Sequence, residues 1–244
     1  MTVTAVQAIM SSPHLEELLV RADRATVLST LARGMAHDFR GPLQTLTLMV
    51  DPHADLLSGP ESGQLRGVVS STVQHLTDTI ARFAQIYAPA DTETVPLIVP
   101  ELLSSVSDLQ RYQRGLPPAE VILQVPEGLP PIRGVESHLR HVLLSLVVNA
   151  KQALEGRNKG QIILAAEHRG PSVHLIVEDD GPGLPPQERD RVFDAFQTTR
   201  EGSLGIGLTV VRSLVARQGG QVWLEAGARG GVRAVVAMPA WQRG

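Results

Sequence analysis

The spacing of apolar residues changes near residue 90, and this change divides the chain into two parts. Before it, apolar residues recur three and four positions apart, which places them along one side of a helix. One run comprises Leu28, Leu31, Met35, Phe39, Leu43, Leu46 and Val50, and the next comprises Leu65, Val69, Val73, Leu76, Ile80, Phe83 and Tyr87. Pro52 and the run Ser58-Gly59-Pro60 separate the two stripes. Residues 1–90 therefore predict an antiparallel hairpin of two helices.

Two helices cover only part of each other's apolar surface. Pairing of two copies through residues 12–88 would cover the rest, so we predict a homodimer held by a four-helix bundle. Leu15, Leu18, Ala22 and Ala25 continue the apolar spacing upstream. They either lengthen the bundle or extend a coiled coil on which a separate sensor protein docks.

From residue 95 onward, short β-rich runs alternate with helical runs. Strands are expected at Val95–Val99, Val121–Val125, Gln161–Glu167 and Val173–Glu178, and helices over about 101–114 and 136–155. This order predicts a mixed sheet covered by helices on one face. We therefore predict an α+β protein of two domains, with the helical hairpin at 1–90 and an α/β sandwich at 95–241.

The composition excludes several classes of function. The chain has no cysteine, which rules out disulfides and thiolate chemistry and fits a reducing cytoplasm. A net charge of -3 provides no basic surface for a nucleic-acid backbone. No apolar run approaches the ~18 to 20 residues of a membrane-spanning helix, and the N-terminus lacks the pattern of a secretion signal. We expect a cytoplasmic protein that has no membrane span and is not a membrane receptor.

His37 lies on the polar side of the first predicted helix. It is two positions from both Met35 and Phe39, so its side chain projects away from the apolar stripe, beside Asp38. A solvent-facing imidazole next to a carboxylate can take part in chemistry, although most surface histidines are only solvated. Pro42 removes a backbone hydrogen bond near this turn and is expected to bend the helix.

Three polar features in the second half are each weak evidence alone. Asn149 shares one side of its predicted helix with His141, Ser145 and Gln152, opposite the apolar side. The run Glu178–Leu184 begins with acidic residues at the end of a strand and continues into a glycine turn. A carboxylate there can accept a hydrogen bond, and the missing side chains of the glycines can admit a flat ligand. The run Gly202–Leu208 precedes an apolar helix, and backbone N–H groups at a helix N-terminus suit phosphate.

The order of these features resembles the sensor histidine kinases. The Asn149 helix, the Asp-x-Gly-x-Gly run at 179–183, Phe193–Arg200, Gly202–Leu208 and Gly230–Gly231 resemble the family's N, G1, F, G2 and G3 boxes. The upstream run His37–Leu43 resembles its H box. The resemblance implies a dimerisation and phosphoacceptor hairpin followed by an ATP-binding Bergerat fold. The His-Asp pair and the run from Asn149 are most similar to the nitrogen-regulation-like subgroup.

The resemblance also implies a site for ATP and Mg²⁺. Asn149 would coordinate the ion, and Asp179 would accept a hydrogen bond from the adenine amino group. Gly181 and Gly183 would leave room for the base. Arg200, in a mobile lid, would contact the γ-phosphate. The full set that it implies for ATP is Asn149, Asp179, Gly181, Gly183, Thr199, Arg200, Gly202, Gly205, Gly207 and Leu208.

By the same resemblance, His37 would attack the γ-phosphorus while Asp38 takes up or steadies the ring proton. The phosphoryl group would then pass to an aspartate of a response regulator. Gly41 stands four residues after His37, where family members that also dephosphorylate their partner commonly carry Thr or Asn. We therefore predict weak or absent phosphatase activity.

Four departures from the family pattern predict a lower affinity for ATP: Ser145, Ala195, Leu204 and Val232. Two other hypotheses remain open. One is a serine kinase of the anti-sigma type, which shares the Bergerat fold but lacks the histidine hairpin. The other is a degenerate kinase that serves as a dimeric scaffold or phosphotransfer adaptor.

Overall fold

The computed structural model describes residues 17–27, 69–73, 93–110, 116–157, 159–189, 191–194 and 205–241. Residues 17–27 and 69–73 are helical, and we call these segments α1 and α2. The elements that follow are β1 (Val95–Leu97), α3 (Val99–Gln110), β2 (Ala119–Gln124), β3 (Ile132–Gly134), α4 (Glu136–Ala153), β4 (Gly160–Arg169), β5 (Ser172–Asp179), α5 (Gly207–Ala216), β6 (Gln221–Ala226) and β7 (Val232–Pro239).

A five-stranded sheet in the order β2-β4-β5-β7-β6 organises the second half. The β2 and β4 strands pair in parallel, whereas the other neighbouring pairs are antiparallel. The β4–β5 hairpin turns at Gly170, whose positive φ of 57° suits glycine in a tight turn. The prediction of a mixed sheet is confirmed. The two short strands β1 and β3 form a separate antiparallel pair.

Three helices pack against one face of the large sheet. The inward residues of β4 are Ile162, Leu164 and Ala166, all buried, as period-two alternation requires. They belong to one apolar core with the buried residues of α3, α4 and α5. The opposite face carries charge instead: Arg233 lies within ion-pair distance of Glu167, Glu178 and Glu225. The helices therefore cover one face, as expected.

Several element boundaries differ from the prediction. The expected strand Val95–Val99 ends at Leu97, and α3 begins at Val99 with Pro100 in its first turn, where proline is favourable. The strand β3 was not predicted, because its three residues are too few to establish a period. The predicted helix over 136–155 ends at Ala153, ahead of Gly156, whose φ is 80°.

The helix α1 packs against the second half of the molecule. Val27 is part of the apolar core, and Leu19 and Val20 pack against that core. Most of the predicted hairpin lies outside the described residues, so the hairpin and the dimeric bundle stay predictions. Within the described ranges, no helix combines the length and apolar character needed to cross a membrane.

Candidate functional site

A cavity of about 670 Å³ opens between α4, the end of β5 and the start of α5. Its volume falls within the range of small-molecule sites. Six residues that the sequence proposed for ATP binding line it: Asn149, Asp179, Gly183, Gly205, Gly207 and Leu208. The structure therefore brings together polar groups that lie far apart in the sequence.

Asn149 reaches the cavity because of the two-sided pattern of α4. The apolar positions of this helix are buried against the sheet, including Leu143, Val147 and Ala150. Asn149 lies at the edge of that buried surface and is half-buried. Its amide oxygen is a hard ligand of the kind that Mg²⁺ prefers.

Asp179 is the last residue of β5 and is only 4% exposed. Its Oδ1 atom accepts backbone hydrogen bonds from Gly181 at 2.8 Å and from Val232 at 3.3 Å. Burial raises the pKa of this carboxyl, and the two backbone donors oppose that shift. Among the described residues, no hydrogen bond engages the Oδ2 atom. This oxygen can accept a donor from a ligand.

Glycines allow the backbone to pack tightly around Asp179. A Cβ on Gly231 would lie 2.1 Å from the carbonyl oxygen of Asp179, and one on Gly181 would lie 2.7 Å from Oδ1. Gly183 has a φ of 78°, and its Cβ would lie 2.6 Å from the carbonyl oxygen of Gly230. These glycines therefore prevent collisions within the protein, a reason that the sequence alone did not reveal. Gly181 is buried beside Asp179.

Glu178 is a structural residue of the site that sequence reasoning missed. It is 4% exposed, and its Oε1 atom accepts a hydrogen bond from the backbone of Ala228 at 3.0 Å. Its Oε2 atom lies 3.3 Å from Arg233. Neighbouring residues of a strand face opposite sides, so Glu178 holds the 227–231 loop while Asp179 faces the cavity. The consecutive acidic residues were the available signal.

The start of α5 forms another wall of the cavity. Gly205 has a φ of 63°, and Gly207 is the first residue of the helix. Among the residues that the structure describes, no side-chain hydrogen bond caps this end of α5. The first N–H groups of a helix lack partners within it and suit an anion.

A contact from α1 reaches the same region and was not predicted. The Oδ2 atom of Asp23 lies 2.9 Å from His141 Nε2 and accepts a hydrogen bond from Ser145 at 3.0 Å. Ser145 stands one turn before Asn149 on α4. Asp23 is separated from these partners by more than a hundred residues, so no local pattern indicated the contact.

Several predicted site residues lie outside the described part of the chain. These are His37, Asp38, Thr199, Arg200 and Gly202, together with Gly41 and two of the departures from the family pattern, Ala195 and Leu204. Their roles stay predictions. Val232, the remaining departure besides Ser145, contributes its backbone N–H to Asp179. That contact does not depend on the side chain at this position.

The chain is similar to known proteins in sequence and in fold. Residues 134–242 match the family described as histidine kinase-, DNA gyrase B-, and HSP90-like ATPases. The chain is 28% identical over 224 residues to the C4-dicarboxylate transport sensor protein DctB of Rhizobium meliloti (strain 1021). That alignment covers 89% of this chain and 35% of DctB. The chain thus spans about a third of the length of this relative.

Solved structures show the same architecture. The catalytic domain of the histidine kinase ThkA is 25% identical, with a TM-score of 0.54 over 61% of this chain and 97% of that domain. Full-length ShkA in complex with AMPPNP is 24% identical, with a TM-score of 0.52, and supports the fold over 95% of this chain and 47% of ShkA. The chain is therefore similar to a sensor protein and to histidine kinases, and its residues 134–242 carry the ATPase-like domain.

Proposed function

We propose that the protein is an ATP-dependent kinase that phosphorylates its own His37 and passes the phosphoryl group to an aspartate of a response regulator. The observation that carries this proposal is the cavity in which Asn149, Asp179 and the start of α5 meet. These groups can serve the metal, base and phosphate parts of one nucleotide. The match of residues 134–242 to the ATPase family supports the same function.

The cavity has a polarity that orients ATP. The Oδ2 atom of Asp179 accepts a hydrogen bond from the amino group of adenine. The phosphates extend toward Gly205 and the start of α5. Asn149 would hold Mg²⁺, and the ion would neutralise charge on the phosphates. AMPPNP bound to the similarly folded ShkA supports a nucleotide as the ligand.

The reaction requires His37 to meet the terminal phosphate. A ring nitrogen of neutral His37 forms an N–P bond as the O–P bond to ADP breaks, and Asp38 receives or stabilises the ring proton. The receiver aspartate later forms an O–P bond as the N–P bond breaks. Catalysis depends on positioning and charge stabilisation more than on covalent chemistry by other groups.

We further propose a two-part organisation, with residues 1–90 as the dimerisation and phosphoacceptor hairpin and 95–241 as the ATP-binding domain. A four-helix bundle in a homodimer would bury the apolar stripes of both helices. The input signal would come from a separate sensor protein or from the helix ends. The cytoplasmic location stays a prediction from the sequence.

Incubation with γ-labelled ATP and Mg²⁺ tests the proposed function. We expect acid-labile, alkali-stable label that disappears in the His37→Ala variant and persists in the control variant His53→Ala. The Asn149→Ala variant should lose labelling while the protein stays folded. Acid-stable label on serine would favour the anti-sigma-type kinase. Unlabelled protein that binds no ATP would favour the scaffold.

Gly41 provides a second test of the proposed function. Glycine has no side chain to orient a hydrolytic water, so the purified protein should dephosphorylate its phosphorylated partner much more slowly than it phosphorylates it. The variant Gly41→Thr should raise the phosphatase rate by about a hundredfold, the lower end of what one positioned side chain contributes. Equal kinase and phosphatase turnover in the unmodified protein would contradict this prediction.

A further inference from the structure

We propose that Asp23 is an internal competitor for the nucleotide phosphates, so that docking of α1 and binding of ATP oppose each other. This inference rests on the proposed function of the cavity as a nucleotide site. It adds a regulatory contact within the chain: a carboxylate from the first part of the chain lies beside Gly207, which lines the proposed phosphate end of that site.

The contact is buried and made by specific groups. Asp23 is 6% exposed, and its Oδ2 atom is shared by the His141 ring at 2.9 Å and the Ser145 hydroxyl at 3.0 Å. A buried carboxylate requires such partners, because desolvation otherwise disfavours its charge. The geometry is therefore that of a built contact between distant parts of the chain.

The other carboxylate oxygen lies beside the start of α5. A Cβ built on Gly207 would stand 3.3 Å from Asp23 Oδ1. Gly207 lines the cavity, as does Asn149, one turn beyond Ser145 on α4. The positive end of a helix dipole favours an anion at this position. On the proposed function, phosphates held at Gly207 would face this carboxylate across the start of α5, and like charges that are close together repel.

Apolar packing supports the charged contact. Val20, Asp23 and Val27 recur along one side of α1, and Val27 is 4% exposed within the core. The opposite side carries Leu18, which is 47% exposed, and the exposed Ala25. One face of α1 therefore docks on the ATP-binding domain, and this face can bind or release as a unit.

The spacing between Asp23 and His37 gives the contact a consequence for catalysis. They are fourteen residues apart, and the sequence predicts a helix that carries both on nearly the same face, about 21 Å apart along its axis. His37 itself lies outside the described residues. On this prediction, a domain docked at Asp23 is held about two heptads from the phosphoacceptor. Release of α1 would free both the phosphate end and the domain.

The opposition between docking of α1 and binding of the nucleotide can be measured as a change in the apparent dissociation constant of the nucleotide. If nucleotide binds only the undocked state, its apparent dissociation constant rises by the reciprocal of the undocked fraction. Coupling between two such events typically spans about 5- to 150-fold in affinity. We expect removal of the Asp23 carboxylate to strengthen nucleotide binding by about tenfold.

Calorimetric titration of the full chain with Mg·AMPPNP tests the proposal. The Asp23→Ala variant should bind about tenfold more tightly than the unmodified protein. Glu17→Ala, which removes an exposed carboxylate from the same helix, should bind as the unmodified protein does. Titration with adenosine, which has no phosphates, should give equal affinities for all three proteins.

Thiol labelling provides a second measurement on a chain that has no cysteine of its own. A cysteine at the buried position 27, introduced as Val27→Cys, should react with maleimide at least about fivefold faster once Mg·AMPPNP is added. The control Ala25→Cys, on the exposed side of α1, should react at the same rate in both conditions.

Three outcomes would overturn the proposal. The first is that Asp23→Ala and the unmodified protein bind Mg·AMPPNP equally tightly. The second is that the variant binds it more weakly, which would make Asp23 a ligand of the metal. The third is that the labelling rate at position 27 stays unchanged or falls when Mg·AMPPNP is added. Both readouts are independent of phosphoryl transfer, so a chain that binds nucleotide but leaves His37 unphosphorylated refutes only the proposed function. Failure of every protein to bind nucleotide refutes both.

Discussion

Asp179 combines two tasks in one side chain. Its Oδ1 atom joins the turn after β5 to the start of β7 through backbone hydrogen bonds from Gly181 and Val232. In the proposed function, its Oδ2 atom recognises adenine. Because the carboxyl is buried, its charge is destabilised in the folded protein. An oxygen acceptor at the Oδ1 position is enough for the structural task. Recognition of adenine also requires an acceptor at the Oδ2 position.

The Asp179→Asn variant should separate these tasks. The amide oxygen can keep both backbone hydrogen bonds, but the amide nitrogen would present a donor to the adenine amino group. We expect a folded protein whose affinity for ATP falls by about 10- to 100-fold, the size of a lost hydrogen bond to a charged group. Calorimetric titration measures this loss. Asp180→Asn, whose backbone contact to Gln161 an amide can also make, should bind ATP normally.

The raised pKa of Asp179 has a consequence for stability. A folded state with a raised carboxyl pKa binds its proton more tightly than the unfolded chain does, so this group lowers stability as pH rises through that range. The penalty is fully present above the raised value. We expect the free energy of unfolding, measured with urea, to decrease as pH rises from about 4. The decrease should be smaller in the Asp179→Asn variant than in the unmodified protein. An identical pH dependence in both proteins would contradict this assignment.

At the scale of elements, Lys151 joins α4 to α3. Its side chain is buried, and Nζ donates a hydrogen bond to the carbonyl oxygen of Gln110 at 2.8 Å, the last residue of α3. Carbonyl groups at a helix C-terminus lack partners within the helix, and a cation there is favourable. Burial nevertheless lowers the pKa of Lys151 to about 8.

This lowered pKa predicts a rise in stability under alkaline conditions. Below about pH 8 the lysine is charged in both states, and the cost of burying the charge is fully present. Between about 8 and the ordinary value of 10.5 the unfolded chain binds more protons, so stability should rise by up to ~1.4 kcal/mol per pH unit from this group. Thermal unfolding of Lys151→Met should lack the rise, and the exposed-site control Lys159→Met should keep it.

The loops around Asp179 depend on glycine for steric reasons. A Cβ at Gly231 would collide with the backbone of β5, since the carbonyl oxygen of Asp179 would lie 2.1 Å away. We expect Gly231→Ala to destabilise the protein by about 1–3 kcal/mol, as overpacking does, and to weaken ATP binding as Asp179 shifts. Chemical denaturation and titration check both effects. Arg229→Ala, exposed in the same loop, should leave both unchanged.

Elements with a repeated period could be predicted from the sequence, whereas contacts between distant elements could not. The long strands β4 and β5 and the helix α4 show their periods over eight residues or more, and each was predicted within two residues at both ends. The three residues of β3 are too few for a period. The Asp23 contact bridges more than a hundred residues, and only the folded arrangement of α1 against α4 brings its partners together.

The candidate site follows the same division. Asn149, Asp179 and Gly207 could be predicted because each belongs to a short motif in a fixed order. The part of Glu178 in holding the 227–231 loop could not, because it depends on pairing between β5 and β7, where Glu178 faces Arg233. The steric role of Gly181, Gly183 and Gly231 could not be predicted either, since the atoms that a Cβ would meet come from distant parts of the chain.

At the scale of the whole molecule, α1 has two different sides. Val20, Asp23 and Val27 face the ATP-binding domain, while Leu18, Ala22 and Ala25 lie on the other side. The second set belongs to the apolar spacing that the sequence predicts either to lengthen the bundle or to extend a coiled coil on which a separate sensor protein docks. If these residues lengthen the predicted bundle, the helix would contact its own ATP-binding domain and a second protomer at once. Neither contact needs the other to be broken.

This arrangement makes the dimer sensitive to charge at Leu18. In the variant Leu18→Glu, two copies would bring like charges into an apolar seam, which costs desolvation and repulsion. The predicted stripe from Leu28 to Val50 would still pair, so we expect weaker association rather than its loss, with a dimer dissociation constant raised about tenfold. Sedimentation equilibrium measures that constant, and the apolar control Leu18→Met should match the unmodified protein. Because Leu18 faces away from Asp23, nucleotide affinity per protomer should not change. A dimer constant unaffected by Leu18→Glu would place the association of two copies on another surface.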